Sequence, residues 1–100
     1  MFYYTYILKS KKDGKIYTGY TQDLRKRLNQ HNKGLSTYTK GRGPFVLIYY
    51  EACLLESKAR SRELFLKSGM GKRYLKNRLG ASYFDKDMDP VRSRGRSLVQ

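Results

Sequence analysis

Five residues of this chain have types and spacings that suit chemistry: Tyr6, Tyr17, Arg27, His31 and Glu63. Arg27 and His31 stand four apart, so on a helix they share one face, one turn apart. Leu24 precedes them by three and seven positions on the same side, so that edge borders the core. Tyr17 opens a Tyr-Thr-Gly triplet in which Gly19 permits a tight turn or a close approach of another group. Tyr6 and Tyr17 can fall on neighbouring strands of a hairpin, with their hydroxyls over one patch. Glu63 follows Ala59 by four and precedes Leu66 by three, which puts it on the inward side of its helix. Its neighbours Lys58, Arg60, Arg62 and Lys67 are all basic. A carboxylate left among phosphate-binding cations weakens binding unless it does another job, and holding a divalent cation is one. This set fits phosphodiester hydrolysis. A tyrosine near a metal or cationic group, or linked to His31, can act as general base. Arg27 can clamp the non-bridging oxygens. A cation on Glu63 can act as Lewis acid for the leaving oxygen.

The elements that must position these groups follow from the hydrophobic pattern. Residues 2–9 alternate aromatic and β-branched side chains and read as a strand. Lys11-Lys12-Asp13-Gly14 is a turn with an Asp-Gly hairpin signal, and Lys15 to Tyr20 return. Thr21 or Asp23 caps a helix over 22–33, with Leu24 and Leu28 as its apolar stripe and Gly34 as its C′ residue. Leu35 to Pro44 is a polar, basic and mobile loop. Phe45 to Cys53, the most apolar run, is expected to be the buried third strand. A second helix covers 55–68, Ser68-Gly69-Met70-Gly71 breaks it, and a basic third helix runs over 72–79. The order of strand, strand, helix, strand, helix, helix implies an α/β (α+β) domain, a small antiparallel-rich sheet covered by helices. That domain spans 1–80, and 81–100 reads as a flexible tail.

Composition narrows the partner. The chain has 100 residues, enough for one small domain, with 22 Lys+Arg against 8 Asp+Glu and a formal charge of +14. Residues 1–80 hold 18 of those basic and 5 of the acidic residues, so the folded part carries the charge. Such a balance points to a polyanion, with nucleic acid ahead of an anionic membrane. No segment shows the broad apolar face of a membrane-bound helix, and no apolar stretch is long enough to span a bilayer. Cys53 is the only cysteine and reads as a core thiol. The first residues lack the charged start and apolar run of a signal peptide, so a cytoplasmic protein is expected. Of the ten tyrosines, at least half are expected in the core.

In its ordered motifs the chain resembles the GIY-YIG nucleases, specifically small stand-alone bacterial members similar to the N-terminal domain of the excision-repair nuclease subunit. Tyr4-Thr5-Tyr6 stands as the first triplet and Tyr17-Thr18-Gly19 as the second. Asp23 to His31 resembles the family helix with its Arg and His. Ala59-Arg60-Ser61-Arg62-Glu63, followed by Leu66-Lys67-Ser68-Gly69, resembles the metal-binding helix. The resemblance covers residues 1–80 and implies a three-stranded antiparallel sheet flanked by helices. It implies Tyr17 as general base, Tyr6 as its partner in positioning water and Arg27 as phosphate ligand. It further implies His31 as an orienting or relaying group, and Glu63 as sole protein ligand to Mg²⁺ or Mn²⁺. Tyr4 and Thr5 replace the Gly and Ile of the family's first triplet. Larger members carry an Asn after the metal Glu, for which Asn77 is the nearby candidate.

The expected activity is a metal-dependent DNA endonuclease acting on branched, nicked or otherwise non-canonical DNA. Lys40 and Arg42 in the loop, with Lys67, Lys72, Arg73 and Lys76 near the third helix, are expected to contact backbone phosphates. Each residue also has a plainer role. Glu63 can form an intrahelical pair with Arg60 or Lys67, and His31 can be structural. A nucleic-acid-binding module without catalysis is the alternative, and a basic RNA-assembly protein is the third reading.

Overall fold

A computed structural model of the chain describes residues 1–80, and the tail expected over 81–100 lies outside the described residues. The elements run β1 (Tyr3–Ser10), β2 (Ile16–Thr21), α1 (Leu24–Asn32), β3 (Phe45–Cys53), α2 (Glu56–Lys67) and α3 (Gly69–Leu79). The three strands form one antiparallel sheet in the order β2-β1-β3. β1 is therefore central, and its Thr5, Tyr6, Ile7 and Leu8 are all buried. This corrects the expectation for β3. The most apolar run of the sequence is an edge strand, and only Phe45 within it is buried. Cys53, at its end, is partly exposed rather than a core thiol. Of the described tyrosines only Tyr6 is buried, and the others, on the strands, the loop and α3, are partly or largely exposed.

The alternation of β1 divides the core in two. Tyr6 and Leu8 face α1 and pack with Phe45, Leu24, Leu28 and Leu47. Ile7 faces the other way and packs with Leu66 and Leu75 beneath α2 and α3. Burying a side chain of this size is worth about 1.5–3 kcal/mol. Thr5 on the same face donates its hydroxyl to the Ala59 carbonyl of α2 at 2.9 Å, which fixes how α2 lies on the sheet.

The helix ends follow local chemistry. Asp23 is the N-cap of α1 and accepts from the Lys26 amide at 3.0 Å. Gly34, just past the C-cap, takes a φ of +74° that favours glycine. Ser68 ends α2 and caps α3, its hydroxyl accepting from Gly71 N at 3.1 Å. The Ser-Gly-Met-Gly segment read as a break is thus largely the first turn of α3. Gly71 is buried there, and the position requires glycine because a Cβ would collide with the Phe65 carbonyl and the Leu66 Cα. No helix among the described residues is long and apolar enough to cross a membrane.

Candidate active site

The site forms at the β2 edge. β1 and β2 pair so that Tyr6 lies opposite Gly19, and Tyr17 opposite Leu8. Both tyrosines therefore project from the α1 face of the sheet. Gly19 lacks the side chain that would block the Tyr6 ring: a Cβ there would stand 2.5 Å from Tyr6 Oη and 2.7 Å from its Cζ. The Tyr6 hydroxyl lies over that gap. From α1 above, His31 Nε2 meets it at 2.9 Å and Arg27 Nε donates to it at 3.4 Å. From the opposite face, Glu63 of α2 reaches the same cavity. All five residues singled out in the sequence line this one cavity of about 550 Å³, together with Ser36, Tyr38, Thr39, Lys67 and Lys72 among others.

The two tyrosines are wired separately. Tyr17 donates its hydroxyl to Asp13 Oδ2 at 2.8 Å, and its ring packs edge-on against Phe45. Asp13 also faces Arg42 Nη1 at 3.5 Å. The hydroxyls of Tyr6 and Tyr17 thus line one cavity while serving different partners. Burial pushes the Tyr6 hydroxyl above the usual tyrosine range, against the opposing pull of Arg27. Burial, then the bond to Asp13 and its charge, push Tyr17 up as well. Both hydroxyls are protonated near neutral pH, and each has a proton acceptor in contact.

His31 completes the Tyr6 chain. It is buried, and burial followed by the Arg27 charge lowers its pKa below the ordinary value, so the imidazole is neutral near pH 7. Its Nδ1 stands 2.7 Å from Thr39 Oγ1. Tyr6 accepts from Arg27 and must place its own proton, and Nε2 is the acceptor in reach. Nδ1 then carries the ring proton and donates to Thr39. One directed chain results, Arg27 to Tyr6 to His31 to Thr39. Arg27 Nη1 donates to Gln30 Oε1 at 2.9 Å, which leaves Nη2 without a protein partner among the described residues.

Thr39 and Asp13 carried no signal in the sequence beyond loop and turn composition. The loop read as mobile has anchors within it and from β1 and α1. Ser36 and Thr39 are buried, Ser10 donates to the Arg42 carbonyl, and Phe45 N donates to Asn32 Oδ1. Of the expected phosphate contacts, Lys67 and Lys72 line the cavity and the others do not. Arg42 is paired with Asp13, Lys40 is exposed on the loop, and Arg73 and Lys76 are exposed on α3. Asn77 is also exposed on α3 and does not line the cavity.

Glu63 is about one-fifth exposed, and Lys67 Nζ approaches its Oε2 at 3.1 Å. The intrahelical pair foreseen as the plainer role therefore exists beside the cavity-lining one. Among the described residues no three His, Cys, Asp or Glu side chains converge. The donor set nonetheless fits one hard divalent cation, which takes one or two carboxylates and completes its shell with water and substrate oxygens.

Residues 2–78 match the family model described as the GIY-YIG catalytic domain. The chain belongs to the GIY-YIG family. A UPF0213 protein of Clostridium perfringens is 48% identical over 65 residues, covering 64% of this chain and 69% of its own. A UPF0213 protein of Staphylococcus saprophyticus is 43% identical over 75 residues, covering 74% of this chain and 90% of its own. A solution NMR structure of a UPF0213 protein from Bacillus halodurans is 36% identical, with a TM-score of 0.50, over 95% of this chain and all of that one. In this GIY-YIG chain, a member of a nuclease family, Tyr6 closes the first signature triplet and Tyr17 opens the second. The β1–β2 pairing sets the two triplets side by side, and Gly19 of the second makes room for Tyr6 of the first.

Proposed function

We propose that this chain is a divalent-cation-dependent endonuclease that hydrolyses phosphodiester bonds of DNA, with the activity contained in residues 1–80. The observation that carries the reading is the convergence of Tyr6, Tyr17, Arg27, His31 and Glu63 on one cavity whose further lining includes Lys67 and Lys72.

Arg27 binds a non-bridging oxygen of the scissile phosphate through Nη2, its free donor, and stabilises the charge that builds there. Lys67 and Lys72 hold the flanking phosphates. A protonated tyrosine acts as base only if it passes on its own proton. Tyr17 takes the proton of the attacking water while handing its own to Asp13 Oδ2, 2.8 Å away. Tyr6, held by Arg27 and His31, orients that water, and His31 Nε2 gives its proton a place to go. The water oxygen bonds to phosphorus, the bond to the leaving oxygen breaks, and that oxygen takes a proton from solvent, so that a phosphomonoester and a free hydroxyl result while Asp13 later returns its proton to solvent. Glu63 would hold Mg²⁺ or Mn²⁺, which when bound supplies Lewis-acid stabilisation of the leaving oxygen.

The test is cleavage of branched, nicked and single-stranded DNA with Mg²⁺ or Mn²⁺ by the full chain and by Glu63→Ala. Cleavage that falls at least about 100-fold in the variant supports the reading. Equal cleavage by both proteins removes Glu63 from the mechanism. The contact of Glu63 with Lys67 favours a second reading, a binding module whose carboxylate is already neutralised. No cleavage of any substrate, with tight DNA binding, selects that reading. RNA outcompeting DNA would move the substrate class.

A further inference from the structure

Four tyrosines line the cavity, and three of them have partners. Tyr6 meets His31 and Arg27, Tyr17 meets Asp13 and Phe45, and Tyr20 meets Glu56 and the Arg60 guanidinium. Tyr38 differs. It is 87% exposed, and its side chain has no hydrogen bond or ring contact among the described residues. Its backbone is nevertheless anchored. The adjacent Thr39 is buried against His31, its amide donates to the Ser36 carbonyl at 3.2 Å, and Arg42 N donates to the Thr39 carbonyl at 3.0 Å. An aromatic ring is thus presented to solvent at the cavity mouth from a fixed stretch of loop. Packing does not explain it, since a ring so exposed adds almost nothing to the core.

What stands beside the ring indicates what it meets. Arg27, Lys67 and Lys72 line the same cavity and draw a phosphate backbone into it, and Lys40 is exposed two residues along. A backbone in the cavity carries its bases past the rim. In a duplex both faces of each base are covered by their neighbours, whereas an unpaired base has a free face that an aromatic ring can cover. We propose that Tyr38 is a stacking platform for an unpaired nucleobase beside the scissile phosphate, so that the strand cut is single-stranded at that point. The location of the cut rests on the nuclease reading, but the stacking does not require cleavage.

The two are separated by measuring binding without divalent cation, so that no strand is cut. Fluorescence anisotropy of the full chain with a labelled single-stranded oligonucleotide, and with its duplex, gives both affinities. Tyr38→Ala is expected to weaken single-strand binding about 5- to 150-fold, the equivalent of one lost stack of ~1–3 kcal/mol. Tyr38→Phe keeps the ring and is expected to bind like the parent. Duplex binding is expected to be unchanged in both. An abasic scan of the oligonucleotide should find a position whose loss matches that of Tyr38→Ala, with no further loss when the two are combined. Equal weakening on duplex and single strand, no weakening, or no single-strand binding by the parent overturns the proposal. Ring-dependent single-strand binding without cleavage in Mg²⁺ or Mn²⁺ retains the stacking site and removes the nuclease reading. Cleavage that is indifferent to Tyr38→Ala overturns the placement of the stack beside the scissile phosphate and leaves the nuclease reading standing.

Discussion

Gly19→Ala is the sharpest perturbation of this site, because it adds a single methyl group at the point where the two signature triplets meet. The new Cβ would stand 2.5 Å from Tyr6 Oη, 2.7 Å from Cζ and 3.3 Å from Cε1. Restoring ordinary contact at about 3.5 Å asks the hydroxyl to move by about 1 Å. That oxygen cannot move so far and keep its 2.9 Å bond to His31. The ring is 4% exposed and packed under Leu24 and Leu28, so it cannot swing aside. Overpacking costs about 1–3 kcal/mol, and alanine's smaller entropic loss in a strand returns about 0.5–1 kcal/mol. A net loss of up to about 2.5 kcal/mol lowers the melting temperature by up to roughly 10–20 °C in a domain of this size. Cleavage falls by about 100-fold, the effect of a catalytic group misplaced by about 1 Å. Thermal denaturation reads the first effect, and the imidazole nitrogen shifts of His31 read the second without any substrate. Gly69→Ala serves as control, since a Cβ there meets nothing within 4 Å. If Gly19→Ala melts like the parent and leaves the His31 resonances in place, the account of Gly19 as the gap for Tyr6 is wrong.

Two further outcomes follow from the same chain of hydrogen bonds. Thr39→Val keeps the shape and removes the Nδ1 partner of His31, and is expected to cost about 1–3 kcal/mol and shift the ring tautomer, while Thr39→Ser restores both; His31 nitrogen shifts that do not distinguish the variants would refute it. The lowered pKa of His31 makes the unfolded state bind the extra proton first. Stability is therefore full above the ordinary value of 6.5 and falls as pH drops from there to the folded value, with no further loss below it from this group. His31→Asn is expected to flatten the melting temperature over that window, and an unaltered slope in the variant would refute it.

The sequence held the membership of the site more legibly than its wiring. Helical spacing alone puts Arg27 and His31 on one face and Glu63 beside Ala59 and Leu66, and those relations survive in the fold. Strand pairing brings Tyr6 and Tyr17 to one face because their positions share parity across the hairpin. Partner choice is another matter. Asp13 reads as a turn residue, and its bond to Tyr17 depends on how far the hairpin curls back. Thr39 lies eight residues beyond His31 in a loop, where no periodicity links positions. The burial of β1 over β3 was also hidden, because strand order is a property of the whole sheet while apolar content is local. The polar groups of β3 are used at the edge instead: Tyr49 serves Glu51 and Tyr74, and Glu51 takes a two-point grip from Arg62. In the same way Ser68 reads as an interruption until its hydroxyl is seen to cap the following helix.

The position of the site at the β2 edge couples groups that belong to opposite faces of the sheet. Tyr6, Arg27 and His31 belong to the α1 side, whereas Glu63, Lys67 and Lys72 belong to the side of α2 and α3. At Gly19 the Tyr6 hydroxyl lies where a side chain would otherwise stand. With glycine there, the charges of α2 act on the Tyr6 hydroxyl: Glu63 pushes its pKa up and Lys67 pulls it down. Arg27 adds a stronger pull from above, and burial outweighs them all. A cation held by Glu63 would remove one of the upward pushes and leave the pull of Arg27 and Lys67 unopposed by any carboxylate acting on that hydroxyl. The Tyr6 hydroxyl would then hold its proton less tightly than it does beside a bare carboxylate. Glu63 thus bears on the Tyr6 hydroxyl from the other side of the sheet, and Gly19 leaves the room in which that hydroxyl sits.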